Sequence, residues 1–111
     1  MADNYTYTLT RLAAQEIDEV IAYISEKLHN VKAANDLQDK IEQTIEQACV
    51  LPYGFPDCEI YYITDEKVRH VPIDNYVLIY EIYEEKKQIS ILRFRYAKMD
   101  LEGITTKQNG N

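Results

Sequence analysis

A chain of 111 residues that is 46% hydrophobic, with only three glycines and three prolines, can build one domain with one modest core and is not a low-complexity or disordered chain. No apolar run approaches the ~20 residues that cross a bilayer, and the start MADNYTYTLT lacks the basic and apolar stretches of a signal peptide, so a cytoplasmic protein is expected. The formal charge of -7 argues against a general nucleic-acid binder, although residues 10–51 hold four Lys/Arg against eight Asp/Glu and residues 52–111 hold eight against ten, which leaves room for a local cationic patch.

Asn4 to Leu9 alternates aromatic or aliphatic with polar residues, the pattern of a short half-buried strand. Thr10 follows as a helix N-cap, because its hydroxyl can accept from the free amides of a first turn. From Arg11 to Leu28 the apolar positions Ala13, Ile17, Val20, Ile21, Ile24 and Leu28 recur at three and four, an amphipathic stripe. Asp18, Glu19 and Glu26 belong to the solvated side. His29-Asn30 interrupts the stripe, and Asn30 can cap a second helix over about Val31 to Val50, with its own stripe at Ala34, Leu37, Ile41, Ile45 and Ala48. So short a connection requires an antiparallel helical hairpin, and Pro52 ends the second helix.

Tyr53-Gly-Phe-Pro56 reads as a turn, Glu59 to Thr64 as a strand, and Val68 to Ile73 as a further strand that Pro72 places at a sheet edge or a bulge. Asp74-Asn75 is a hairpin turn. Tyr76 to Tyr83 is β-branched and aromatic, with Tyr76 and Tyr80 at core positions; Glu84 to Lys87 is a charged break; Gln88 to Tyr96 is the last strand. That strand begins with Ile89, Ile91 and Leu92 and ends in a cationic, aromatic rim of Arg93, Arg95, Tyr96 and Lys98. Residues 102–111 have no period and read as a loose tail after a single domain over 1–101. The order is β-α-α-β-β-β-β, an α+β fold in which a mainly antiparallel, twisted sheet carries the helical hairpin on one face.

Cys49 and Cys58 lie nine positions apart, neither a CxxC nor a disulfide framework; Cys49 is expected as a small buried hydrophobe. His70 and His29 lack metal-like spacing and read as surface residues. No metal and no cofactor are expected, and there is no Gly-rich phosphate loop, HExxH or GxSxG.

The ordered set resembles the RelE/ParE superfamily of toxins from bacterial type II toxin–antitoxin systems. It is carried by the opening strand with Thr10 and Ala13…Ile17-Asp18…Ile21…Tyr23-Ile24; by Ala33-Ala34…Leu37…Ile41 and Leu51-Pro52; and by Arg69…Asn75-Tyr76…Tyr80-Glu81-Ile82 and Ile89…Ile91-Leu92-Arg93…Tyr96…Asp100. The resemblance implies growth inhibition, a part in plasmid stabilization, and a cognate antitoxin that wraps the toxin. It divides into two branches. RelE-like members are metal-independent mRNA interferases acting on the ribosome, in which the 2′-hydroxyl attacks the adjacent phosphate. ParE-like members inhibit DNA gyrase through a binding surface. In the first branch Arg69, Arg95 and Tyr96 would form the catalytic set. In either branch Arg93, Arg95 and Lys98 would bind the antitoxin or the target.

The chemistry narrows the roles. Arginines can only stabilise charge; His70 suits acid–base work by its ordinary pKa; Tyr96 could donate a proton or stack on a base. On an undistorted strand Ile89, Ile91, Arg93 and Arg95 share one face and Ser90, Leu92, Phe94 and Tyr96 the other, so Arg95 and Tyr96 meet one phosphate only across a bulge or a strand end. The bland alternative for Arg69 is an ion pair with Glu81 or Glu59. Against the nuclease pattern, Arg95 stands where a His is expected, Met99 and Pro72 stand where basic residues are, and Pro52 to Thr64 contains no Lys or Arg. These departures move the weight toward the ParE-like branch.

Overall fold

In the computed structural model of the chain, residues 4–55 and 67–97 are described. Thr10 caps the first helix as its hydroxyl predicts, accepting from the Ala13 amide at 3.0 Å. Strand β1 (Thr6–Leu9) precedes it, and helix α1 spans Arg11–Ala22. The helix then widens into a π-helical turn, Tyr23–Lys27, where the Leu28 amide donates to the Tyr23 carbonyl. The wider turn rotates the last predicted stripe residue out of register, and Leu28 is 55% exposed rather than buried. His29 reverses the chain at φ 52°, Asn30 accepts from the Ala33 amide, and helix α2 (Val31–Val50) returns. All five predicted stripe residues of α2 are buried, as is Cys49.

Among the described residues, strands β2 (Val68–Ile73), β3 (Tyr76–Tyr83) and β4 (Gln88–Tyr96) complete a four-stranded sheet in the order β1-β4-β3-β2. The β2–β3 and β3–β4 pairings are antiparallel, while β1 lies parallel to β4. Asp74, at φ 54°, makes the two-residue turn, and Lys87, at φ 51°, closes the Glu84–Lys86 turn. Pro72 sits in β2, which is the sheet's edge among the described residues. The predicted strand at 59–64 and the tail at 102–111 lie outside the described residues. One expectation is corrected: all four residues of β1 are exposed, not half-buried, because β1 lies at an end of the sheet among the described residues.

The core lies between the helical hairpin and one sheet face: Ala13, Leu37, Ile41 and Ile45 pack on Val71, Leu78, Tyr80, Ile82, Ile89, Ile91 and Phe94. Val68, Val77 and Ile79 form a smaller cluster with Leu92 and Ala97, on the other face by strand alternation.

A β-bulge decides which residues of β4 face the helices. Ile91 stands opposite Tyr80 and Arg93 opposite Ile79, so Leu92 is the extra residue. Beyond it the alternation shifts by one. Phe94, not Arg93, joins Ile89 and Ile91 in the main core, and the two arginines leave it. Without the bulge both guanidiniums would point at buried aliphatics. Deleting Leu92 restores an unbroken register without moving any other residue to the wrong face. We expect that variant to fold and to lose about 2 kcal/mol of apolar burial in urea unfolding; an unfolded product would contradict this reading of the register.

Candidate functional site

Strand β1 covers β4 only as far as Ile91. Past that point the edge of β4 would present free backbone groups, and the start of α1 takes them up. The Thr10 amide donates to Ile91 O at 3.0 Å and the Thr10 hydroxyl to Leu92 O at 3.1 Å. Six residues further on, Glu16 accepts from the Phe94 amide at 2.8 Å, standing in for a neighbouring strand. The same carboxylate receives Arg93 in a fork, Nη2 at 2.8 Å and Nε at 3.2 Å to both oxygens, and Arg95 Nε lies 3.9 Å away. The Glu16 side chain is 15% exposed and those of Arg93 and Arg95 are 35% exposed. Burial alone would raise the Glu16 pKa. The Arg93 hydrogen bonds, the Phe94 amide and the charges of both arginines outweigh it and hold the carboxyl below its ordinary 4.5.

Glu16 was not singled out by its sequence context, yet a signal is there. It stands three residues after Ala13 and four before Val20, inside the helix's apolar stripe. A carboxylate on a core-facing stripe requires a cation or amide partner.

Arg69 serves a second cluster. Its Nη1 donates to Phe55 O at 2.8 Å and its guanidinium lies over the Tyr53 ring at 4.9 Å. Its register partner Tyr80, fully buried, donates its hydroxyl to Pro52 O and meets the Phe55 ring edge-on at 6.4 Å. Together these groups tie the exit of α2 to β2 and β3. Glu81 stands opposite Val68, so alternation puts it on the other face from Arg69, where its carboxylate accepts from the Tyr83 hydroxyl. Arg69→Ala should therefore cost roughly 1–2 kcal/mol of stability through the lost carbonyl bond and ring contact, measurable by thermal unfolding. An unchanged melting point would contradict the stitching role.

The three residues proposed for catalysis do not converge. Arg69 and Tyr96 share the helix-facing side of the sheet but lie four residues and two strands apart, roughly 16 Å between Cα atoms by strand geometry. Arg95 points to the opposite face from Tyr96, because the bulge precedes both and re-aims them together. Tyr96 packs edge-on to Tyr76 at 5.7 Å and is 39% exposed; Tyr76 stacks on Phe94 at 5.1 Å. Arg93 and Arg95 do come together, on Glu16. Lys98 lies outside the described residues.

His70 is half-buried, opposite Ile79 on the outer face, rather than at the surface, and its Nδ1 is buried without a hydrogen-bond partner among the described residues. Burial pushes the Tyr80 and Tyr76 phenols up, and burial with a hydrogen bond to Glu84 pushes Tyr53 up to about 12. Among the described residues no group of three His, Cys, Asp or Glu side chains could hold a metal ion, and no helix is long and apolar enough to cross a membrane.

Comparison with known proteins bears on the whole arrangement. The family model described as "ParE toxin of type II toxin-antitoxin system, parDE" matches residues 7–101. A chain of the chromosomal ParDE TA system from P. aeruginosa is similar in structure, with a TM-score of 0.64 at 17% identity, covering 83% of this chain and 95% of that one. A chain of the toxin–antitoxin complex RelBE2 from Mycobacterium tuberculosis gives a TM-score of 0.54 at 18% identity, covering 86% and 94%. No curated protein matches the sequence. At these identities the structural likeness concerns the fold: strand, helical hairpin and mixed sheet in the same arrangement.

Proposed function

The chain belongs to the family of ParE toxins of type II toxin–antitoxin systems, and from that membership we propose that it is the growth-inhibiting partner of such a pair, acting in the cytoplasm on DNA gyrase by binding and not by cutting RNA. The observation that carries the choice of target is the separation of Arg69, Arg95 and Tyr96. Cleavage by a 2′-hydroxyl needs charge stabilisation and proton transfer around one phosphate. Here Arg95 and Tyr96 occupy opposite faces and Arg69 is engaged with the loop after α2. A formal charge of -7 also opposes docking on a polyanion such as ribosomal RNA.

A cognate antitoxin holds the protein inactive in this reading. Its acidic amphipathic segment docks at the edge of β4, with its carboxylates toward Arg93 and Arg95. The complex then weakens as salt rises, and salt-insensitive binding would point to an apolar interface elsewhere.

Induced expression in a bacterium, with growth, transcript integrity and plasmid supercoiling followed together, tests the proposal. Arrest with intact transcripts and DNA damage is the expected result. Transcripts cut inside coding regions would make the chain a ribosome-dependent endoribonuclease instead, and undisturbed growth would leave a partner-binding member without toxicity.

A further inference from the structure

The donors gathered at the end of β4 are arranged as a binding site, and the chain fills it itself. Arg93 Nε and Nη2 and the Phe94 amide all donate to one carboxylate, and Arg95 Nε stands within ion-pair distance. A guanidinium fork beside a backbone amide is a recognition geometry for a planar oxyanion. The bulge at Leu92 is what creates it, since it withdraws both arginines from the core side while Phe94 anchors the strand there.

We propose that Arg93, Arg95 and the Phe94 amide form a carboxylate-binding site whose resident occupant is Glu16, so that Glu16 is an intramolecular plug for which an acidic partner segment must compete. The ligand class is a carboxylate. The fork matches the group already seated in it, and the acidic surface elsewhere on the chain disfavours a polyanionic nucleic acid. Access is available from the solvent side, where both arginine side chains are about one-third exposed while Glu16 is nearly covered. The plug sets its carboxylate against the charge of the rim, and it yields only to a ligand that supplies a carboxylate together with further contacts. Identifying that ligand with an antitoxin side chain rests on the reading given above; the site itself does not.

Chemical rescue tests the site with acetate as the probe. Glu16→Ala leaves the donors facing an empty carboxylate position. Acetate, titrated against chloride at matched ionic strength, should raise the thermal midpoint of Glu16→Ala saturably and leave the wild type unmoved, with at least roughly tenfold tighter apparent binding to the variant. Arg93→Ala in the same background should remove the rescue. Equal effects of acetate and chloride on a folded Glu16→Ala variant would overturn the proposal. If that variant does not fold in either salt, Glu16→Gln decides, with the titration followed at the Arg93 and Arg95 Nε–H resonances: a saturable shift supports the site and its absence overturns it. Because no antitoxin enters the measurement, a failed rescue counts against the site, whereas a rescue alongside salt-insensitive antitoxin binding counts against the partner reading alone.

Discussion

Glu16→Ala is expected to destabilise the protein by about 2–3 kcal/mol in urea unfolding, a large share of the ~5–15 kcal/mol that holds a domain together. The substitution removes the Glu16 carboxylate from both guanidiniums and the acceptor of the Phe94 amide. Breaking a fully buried pair costs about 3–5 kcal/mol. The arginine side chains here are about one-third exposed, and water compensates part of the loss. Glu16→Gln keeps an acceptor for Phe94 and should cost about half as much. The pH dependence has a definite sign. The folded carboxyl titrates below its ordinary 4.5, so the unfolded chain binds more protons in that window. The contribution of Glu16 is therefore complete above pH 4.5 and is lost as pH falls through the lower, folded value. Glu16→Gln should flatten that part of the acid limb. An acid limb identical to wild type would show that the carboxylate does not hold the strand.

Tyr80→Ala should be costlier, about 3–5 kcal/mol, because the ring is fully buried and its removal leaves a cavity between β3, Phe55 and the exit of α2. Tyr80→Phe isolates the hydroxyl. It leaves the Pro52 carbonyl without its donor while filling the same volume, and about 1–2 kcal/mol is expected. The ordering of the two is the informative result. A Phe variant as damaged as the Ala variant would mean that the hydroxyl bond, and not packing, holds the loop. A neutral Phe variant would mean that the bond contributes nothing net.

What could be read from the residues, and what could not, follows from the range of the interactions. The caps at Thr10 and Asn30, the stripe of α2, and the turns at Asp74-Asn75 and Glu84 to Lys87 are local, and each was legible because a residue's own backbone or side chain sets the outcome within a few positions. The family, too, was legible, from an ordered set of such features along the chain. The failures are non-local. Leu28 is the local exception: a regular helix would keep it in the stripe, and the π-helical turn rotates it outward. The alternation of β4 predicted that Arg93 would share a face with Ile91 unless a bulge intervened; only the pairing with β3 shows that the bulge falls at Leu92. The basic rim was legible as a cluster of charge, but its counter-ion sits 77 residues earlier on α1. For Arg69 the face was the deciding fact. Once β2 is registered on β3, Tyr80 is its neighbour and Glu81 is not on its side.

The most direct test of how this protein acts is a supercoiling assay with purified DNA gyrase, run beside a ribosome-programmed transcript under the same conditions. The account predicts that the purified chain blocks gyrase supercoiling or traps gyrase on cleaved DNA, leaves the transcript whole, and loses neither behaviour in Tyr96→Phe. Undisturbed gyrase together with a transcript cut on the ribosome, abolished by Tyr96→Phe, would contradict it.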